Sequence, residues 1–177
     1  MINWGIIGLG KMGNQFAKSI LNTNNSKLIA VSSKSKKKLD TFSNEFNIIK
    51  KNLFLSYDDL ISNKDVEAVY ISTLNNTHLD LIHKAASKNK KILCEKPISM
   101  NLEETIKARE IIKKYKVKFF EAIAYRSHPQ TKTIFELINS NQFGKINKIE
   151  ARFGFKVKRI RPDSRLFNKK LGGGAIL

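Results

Sequence analysis

Residues 3–14, NWGIIGLGKMGN, decide how the chain is read. A short apolar run, residues 4–7, meets glycines at Gly8, Gly10 and Gly13, and the amphipathic set Phe16, Ala17, Ile20 and Leu21 follows at once. This order reads as strand, tight turn and helix start, the setting in which G-x-G-x-x-G binds a dinucleotide. Gly8 would permit the sharp turn off the strand. Gly10 would let the backbone approach a pyrophosphate. Gly13 would let the helix pack close to the strand. The helix start at Lys11, Met12 and Gly13 would offer N–H groups and a partial positive charge to the phosphates. Glycine-rich turns also occur by chance, so the rest of the chain has to support this reading.

Working outward, apolar runs alternate with amphipathic ones. Strands are expected at residues 3–7, 27–32, 68–72, 91–94 and 118–122, with a short extended segment at 53–57. Helices are expected at 12–21, 36–46, 58–62, 77–88 and 101–115, because apolar residues recur there at spacings of three and four. Thr77 with Asp80, and Asn101 with Glu104, are spaced as capping boxes. The order predicts an α/β fold, a doubly wound, mostly parallel Rossmann sheet, with ligands at the carboxyl ends of its strands. After residue 123 the pattern changes. Pro129 starts a helix, residues 145–155 read as a strand of an open sheet, and a basic stretch at 161–170 precedes GGGAIL at 172–177. Residues 1–123 are therefore expected to form the dinucleotide-binding domain, and 124–177 an incomplete start of an α+β substrate or oligomerisation domain.

The composition bounds the function. The chain has 177 residues and is 41% hydrophobic, which suits a globular protein with a real core. No apolar run reaches the roughly 20 residues needed to span a bilayer, and no secretory leader is visible. The single cysteine, Cys94, fits a reducing cytoplasm. The net charge of +18 could mark a nucleic-acid binder. Its lysines, however, are spread along the whole chain and no nucleic-acid motif accompanies them, so no specific nucleic-acid partner is expected. No metal-ligand pattern is read either.

Two places carry chemistry. An NAD-selective site usually has Asp or Glu about 20 residues after the glycines, to bind the ribose 2′-hydroxyl. Here that place holds Ser32, Ser33 and Lys34, with Lys36, Lys37 and Lys38 following. Hydroxyl and ammonium groups suit a 2′-phosphate, so NADP is expected over NAD; the competing reading is a solvated lysine run at a helix start. The second place is Glu95-Lys96-Pro97, directly after a strand. Pro97 restricts Lys96 to an extended or turn backbone. A lysine facing the cofactor cleft could hydrogen-bond a substrate oxygen, stabilise an alkoxide or take its proton. Glu95 would position that lysine or touch the nicotinamide ribose.

Taken together, GLGKMG, TLNNTHLD at 73–80, EKP at 95–97, EAIAYRSHPQ at 121–130, FGKI at 143–146 and RLFNKKLGGGAIL at 165–177 resemble the Gfo/Idh/MocA oxidoreductases, most of all their dihydrodiol and xylose dehydrogenase branch. The resemblance covers essentially the whole chain. It implies hydride transfer between nicotinamide and a sugar, polyol or related hydroxy compound, with Lys96 as the catalytic lysine and Glu95 on the cofactor ribose. It further implies that Thr73, Leu74, Asn76 and His78 line the cleft, with a structural helix-start role as the competing reading for His78, that Arg126 and His128 lie near the active site or the domain junction, and that full-length members are homo-oligomers. The family often has proline where this chain has Leu74. In similar proteins GGGAIL runs on into a segment supplying a second acid/base group, so the chain resembles the N-terminal half of a roughly 330-residue enzyme. The alternative is a non-catalytic NADP-binding or sensing protein. His83 is read as a helix packing residue.

Overall fold

The structure, a computed structural model, describes residues 1–152 together with 154, 156, 157, 162, 167, 168 and 171. Its elements run β1 (Ile2–Ile7), α1 (Lys11–Ile20), β2 (Ser26–Ser32), α2 (Lys36–Phe46), β3 (Leu53–Phe54), α3 (Tyr57–Ser62), β4 (Ala68–Ile71), α4 (His78–Ser87), β5 (Lys91–Glu95), α5 (Leu102–Tyr115), β6 (Phe119–Ala122) and α6 (Pro129–Asn139). The strands form one sheet in the order β3-β2-β1-β4-β5-β6, and each neighbouring pair is parallel. This is the doubly wound arrangement expected from the alternation of elements.

Both faces of the sheet are covered, which is why its inner strands read as continuous apolar runs. Successive side chains point to opposite faces. Ile6 and Tyr70 therefore join Ala17 and Ile20 of α1 and Leu39 and Phe42 of α2 in one core. Ile7 and Ile71 join Leu60, Leu81, Ile82 and Ala108 of α3, α4 and α5 in the other.

The helix starts show which sequence signals hold. Asn101 caps α5: its Oδ1 accepts from Glu104 N at 2.9 Å, and Glu104 Oε2 accepts in return from Met100 N at 2.9 Å. The box expected at Thr77 does not form. A 3-10 turn, Asn75–Thr77, runs straight into α4, so Thr77 is already helical in backbone. A capping residue needs an extended backbone to reach forward. The Thr77 hydroxyl instead donates back to Leu74 O at 2.7 Å. The strand expected at 145–155 is also corrected. Its described residues form no ladder and Ile149 is 80% exposed, because no described strand lies beside them to share hydrogen bonds. Phe153, Phe155, most of the stretch 161–170 and the segment 172–177 lie outside the described residues. His83 packs as expected in kind, its ring 6.0 Å from that of Tyr115 across the α4–α5 seam, although it is exposed there.

Candidate functional site: the carboxyl edge of the sheet

Because the strands are parallel, all their carboxyl ends reach one edge. The winding direction reverses between β1 and β4. Only β4 separates β1 from β5, so the turn after β1 and the loop after β5 lie roughly 10 Å apart, two strand spacings.

Gly8 turns the chain off β1 at φ 96°, a conformation that side chains resist, and a Cβ there would sit 2.9 Å from Ser72 O. The Ser72 hydroxyl donates to Gly8 O at 2.7 Å and ties this turn to the end of β4. At Gly13 a Cβ would lie 2.5 Å from Gly8 O, so α1 can approach the turn this closely only without a side chain. Gly10 differs: a Cβ there would meet nothing within 4 Å. No atom of the described residues demands glycine at that position. α1 also begins without a side-chain cap and without an acidic residue in its first turn. The first-turn N–H groups and the positive end of the helix are therefore presented, with Gly10, Lys11 and Met12 exposed. A space that a side chain would fill, set against uncapped N–H groups, fits a pyrophosphate.

Beside Gly10 lies a hollow of about 370 Å³ lined by Leu9, Gly10, Asn14, Ser35, Lys37 and Lys38, among others. Of the two residues read from sequence here, Ser33 is buried and its Oγ accepts from Ser35 N at 3.2 Å. Lys34 is exposed, with Nζ 5.8 Å from the centre of the Tyr57 ring. Ser35, Lys37 and Lys38 thus line the hollow beside Gly10, and Ser33 and Lys34 are not among its lining residues. Sequence spacing alone could not separate neighbours in a lysine run.

The loop after β5 is pinned at nearly every residue. Tyr70 donates to Glu95 Oε1 at 2.6 Å, and Lys96 N donates to Glu95 Oε2 at 3.3 Å. The Lys96–Pro97 peptide bond is cis. His78 Nδ1 donates to Pro97 O at 2.8 Å. Ile98 N donates to Glu121 Oε1 at 2.9 Å. Ser99 Oγ lies 2.6 Å from Thr105 Oγ1 at the start of α5. The Lys96 side chain alone stands apart: it is exposed and forms no ion pair among the described residues.

The segment between β4 and α4 has two sides. Leu74 and Asn76 are exposed and Thr73 is half-buried, its hydroxyl 2.6 Å from that of Thr77. His78 is fully buried. It bonds the Pro97 loop and is closed to solvent, which fits the structural helix-start role weighed for it rather than a place on the cleft wall. Arg126 is exposed in a 3-10 turn, Ala124–Ser127. His128 caps α6, its Nδ1 accepting from Gln130 N at 3.2 Å. Sequence reasoning missed Tyr70 and the role of Glu121. A tyrosine in an otherwise aliphatic strand was the available signal, since a buried phenol needs a polar partner.

A doubly wound sheet with an open glycine at an uncapped helix start defines a dinucleotide-binding α/β protein. The chain belongs to the Gfo/Idh/MocA family: the family model described as "Oxidoreductase family, NAD-binding Rossmann fold" matches residues 2–123. The trans-1,2-dihydrobenzene-1,2-diol dehydrogenase of Xenopus tropicalis is 30% identical over 98% of this chain and 52% of its own length. The D-xylose 1-dehydrogenase (NADP(+)) 2 of Haloferax volcanii is 26% identical over 98% of this chain and 52% of its own. Among solved structures, scyllo-inositol dehydrogenase from Lactobacillus casei, with bound NAD(H) and scyllo-inositol, is 27% identical with a TM-score of 0.76, covering 81% of this chain and 42% of that one. The chain thus spans about half the length of the curated relatives it matches. No described helix is long and apolar enough to cross a membrane.

Proposed function

We propose that residues 1–123 bind NADP(H) across the turn after β1, and that Lys96 acts on a hydroxyl or carbonyl oxygen of a sugar, polyol or related small hydroxy compound. The observation that carries this reading is Lys96: an exposed ammonium with no ion pair among the described residues, on a pinned loop, with only β4 between its strand and the open glycine turn. The N–H groups of α1 hold the pyrophosphate. Lys37, Lys38 and Ser35 meet the 2′-phosphate, which supports NADP over NAD. When bound, the nicotinamide gives or takes the hydride. Lys96 hydrogen-bonds the substrate oxygen, and its positive charge stabilises the alkoxide. Glu95 holds the Lys96 backbone and offers its carboxylate to a ribose hydroxyl. The dihydrodiol, xylose and inositol relatives support a carbohydrate-like substrate.

Fluorescence titration with NADPH and NADH tests the cofactor. NADPH should bind at least about tenfold more tightly, the value of one well-placed charged contact. A folded chain that binds neither would remove the cofactor site, and tighter NADH would remove the 2′-phosphate contact. Turnover on a panel of pentoses, hexoses, polyols and dihydrodiols tests the chemistry. There Lys96→Ala should lower kcat by about 100-fold or more. Unchanged turnover would take Lys96 out of the reaction.

A further inference from the structure

The buried hydroxyl of Tyr70 has an unusual place. Tyr70 lies in the middle of β4, where its neighbours Ala68, Val69 and Ile71 are fully buried aliphatic residues. The register pairs Tyr70 with Leu93 of β5, so Glu95, two residues on, shares its face of the sheet. A diagonal neighbour of this kind is within reach of an aromatic side chain. The hydroxyl uses that reach and donates to Glu95 Oε1 at 2.6 Å, a short bond of the charge-assisted kind. On its other side the Tyr70 ring packs on Phe16 of α1, with centroids 4.1 Å apart, and Phe16 packs edge-on against Trp4 of β1. Tyr70 therefore joins the helix that opens the glycine site to the carboxylate that precedes Lys96. Burial, reinforced by the bond to Glu95, pushes the Tyr70 hydroxyl far above its ordinary value.

We propose that Tyr70 is a positioning residue for the nicotinamide half of the cofactor, acting through Glu95: it fixes one carboxylate oxygen so that the other is held beside Lys96 N. This rests on the cofactor reading above. A solvated carboxylate at a strand end samples several rotamers, and ordering one on binding lowers affinity. The Tyr70 bond removes that freedom before the cofactor arrives. The bland alternative is a core tyrosine whose ring fills space and whose hydroxyl is merely satisfied.

A double-mutant cycle on the 177-residue chain separates the two. The probes are NADPH, or NADH if that is the cofactor bound, and the matching adenosine half, 2′,5′-ADP or ADP. Tyr70→Phe keeps the ring and removes only the hydroxyl. It should weaken the reduced cofactor about tenfold, the lower range for a hydrogen bond to a charged group, and leave the adenosine half within about twofold. In a Glu95→Ala background the same substitution should have no further effect. Equal losses in both backgrounds, or equal losses for cofactor and adenosine half, would overturn the proposal in favour of packing, and so would no loss at all. If Tyr70→Phe does not fold, Glu95→Asp withdraws the carboxylate from the hydroxyl and leaves the buried ring intact. Glu95→Asp with wild-type affinity for the cofactor would overturn the proposal equally. Failure of the wild type to bind either cofactor would sink the cofactor reading and this inference together, whereas wild-type binding without the coupling sinks the inference alone.

Discussion

The three central strands, β1, β4 and β5, end differently at their two edges. At the amino edge, polar groups meet partners. Glu67, just before β4, accepts from Asn3 N at 3.0 Å and pairs with Lys91 Nζ at 3.3 Å. Lys90 is buried, and its ammonium donates to Asn63 O and Val66 O at 2.7 and 2.6 Å. At the carboxyl edge the same strands present an open Gly10, an α1 without a side-chain cap and a Lys96 with no ion pair among the described residues. The protein could have closed this edge with the same devices, since Asn101 caps α5 and Ser35 caps α2. The difference lies in a few groups only: the polar groups named at the amino edge satisfy one another, whereas at the carboxyl edge Gly10, the first turn of α1 and the Lys96 side chain stay open beside a loop that is otherwise pinned.

Substitutions can break that division. The largest effect is expected from Gly10→Val, which adds side-chain atoms where no protein atom stands. Cofactor affinity should fall by about 100-fold or more, roughly 2.7 kcal/mol, while urea unfolding stays within about 0.5 kcal/mol of wild type. A large stability loss with intact binding would reverse the assignment of the edges. Next, Lys90→Met should cost about 2 kcal/mol in urea unfolding, because two carbonyls beneath it lose their donor. The cost is moderated because burial already holds the Lys90 ammonium below its ordinary pKa. Cofactor affinity should move by less than about twofold, since nothing at the other edge changes.

The smallest effect is at Glu67, and it depends on pH. The hydrogen bond from Asn3 N, then the pairing with Lys91, hold its carboxyl below the ordinary 4.5. A lowered folded value means that the unfolded chain binds the proton first. The contribution is therefore complete above pH 4.5 and is lost as pH falls through the folded value. Denaturant unfolding from pH 6 to 2 should show a shallower acid slope for Glu67→Gln than for wild type. Parallel slopes would mean that this pair carries nothing.

Local features were legible in the sequence. The glycine spacing of the turn after β1 is local, and Gly8 and Gly13 stand where the turn and the close helix approach leave no room for a side chain. The parallel sheet was legible because strands buried on both faces must be apolar throughout. Lys96 was legible as a lysine before proline at a strand end. What holds Lys96 in place was not. Tyr70, His78 and Glu121 lie far from it along the chain, on β4, α4 and β6. Their contacts follow from sheet order and register, which no local spacing encodes. The same limit explains Thr77, whose cap fails because the preceding turn had already placed it in helical backbone. It also explains residues 145–152, where alternation predicts a strand but only a partner strand could make one.

The claim on which the rest depends is that the carboxyl edge of β1, β4 and β5 holds a nicotinamide dinucleotide against Gly10. Thermal unfolding of wild type and Gly10→Val, each with and without saturating NADPH and NADH, tests it most directly. The wild-type midpoint should rise by several degrees with the preferred cofactor, as about 2.7 kcal/mol of added stability at 100 times Kd requires for a chain of this size. Gly10→Val should melt with wild type in the absence of cofactor and gain no more than about 0.4 kcal/mol, a small fraction of the wild-type rise, at the same cofactor concentration. No shift in wild type, or an equal shift in both, would contradict the claim.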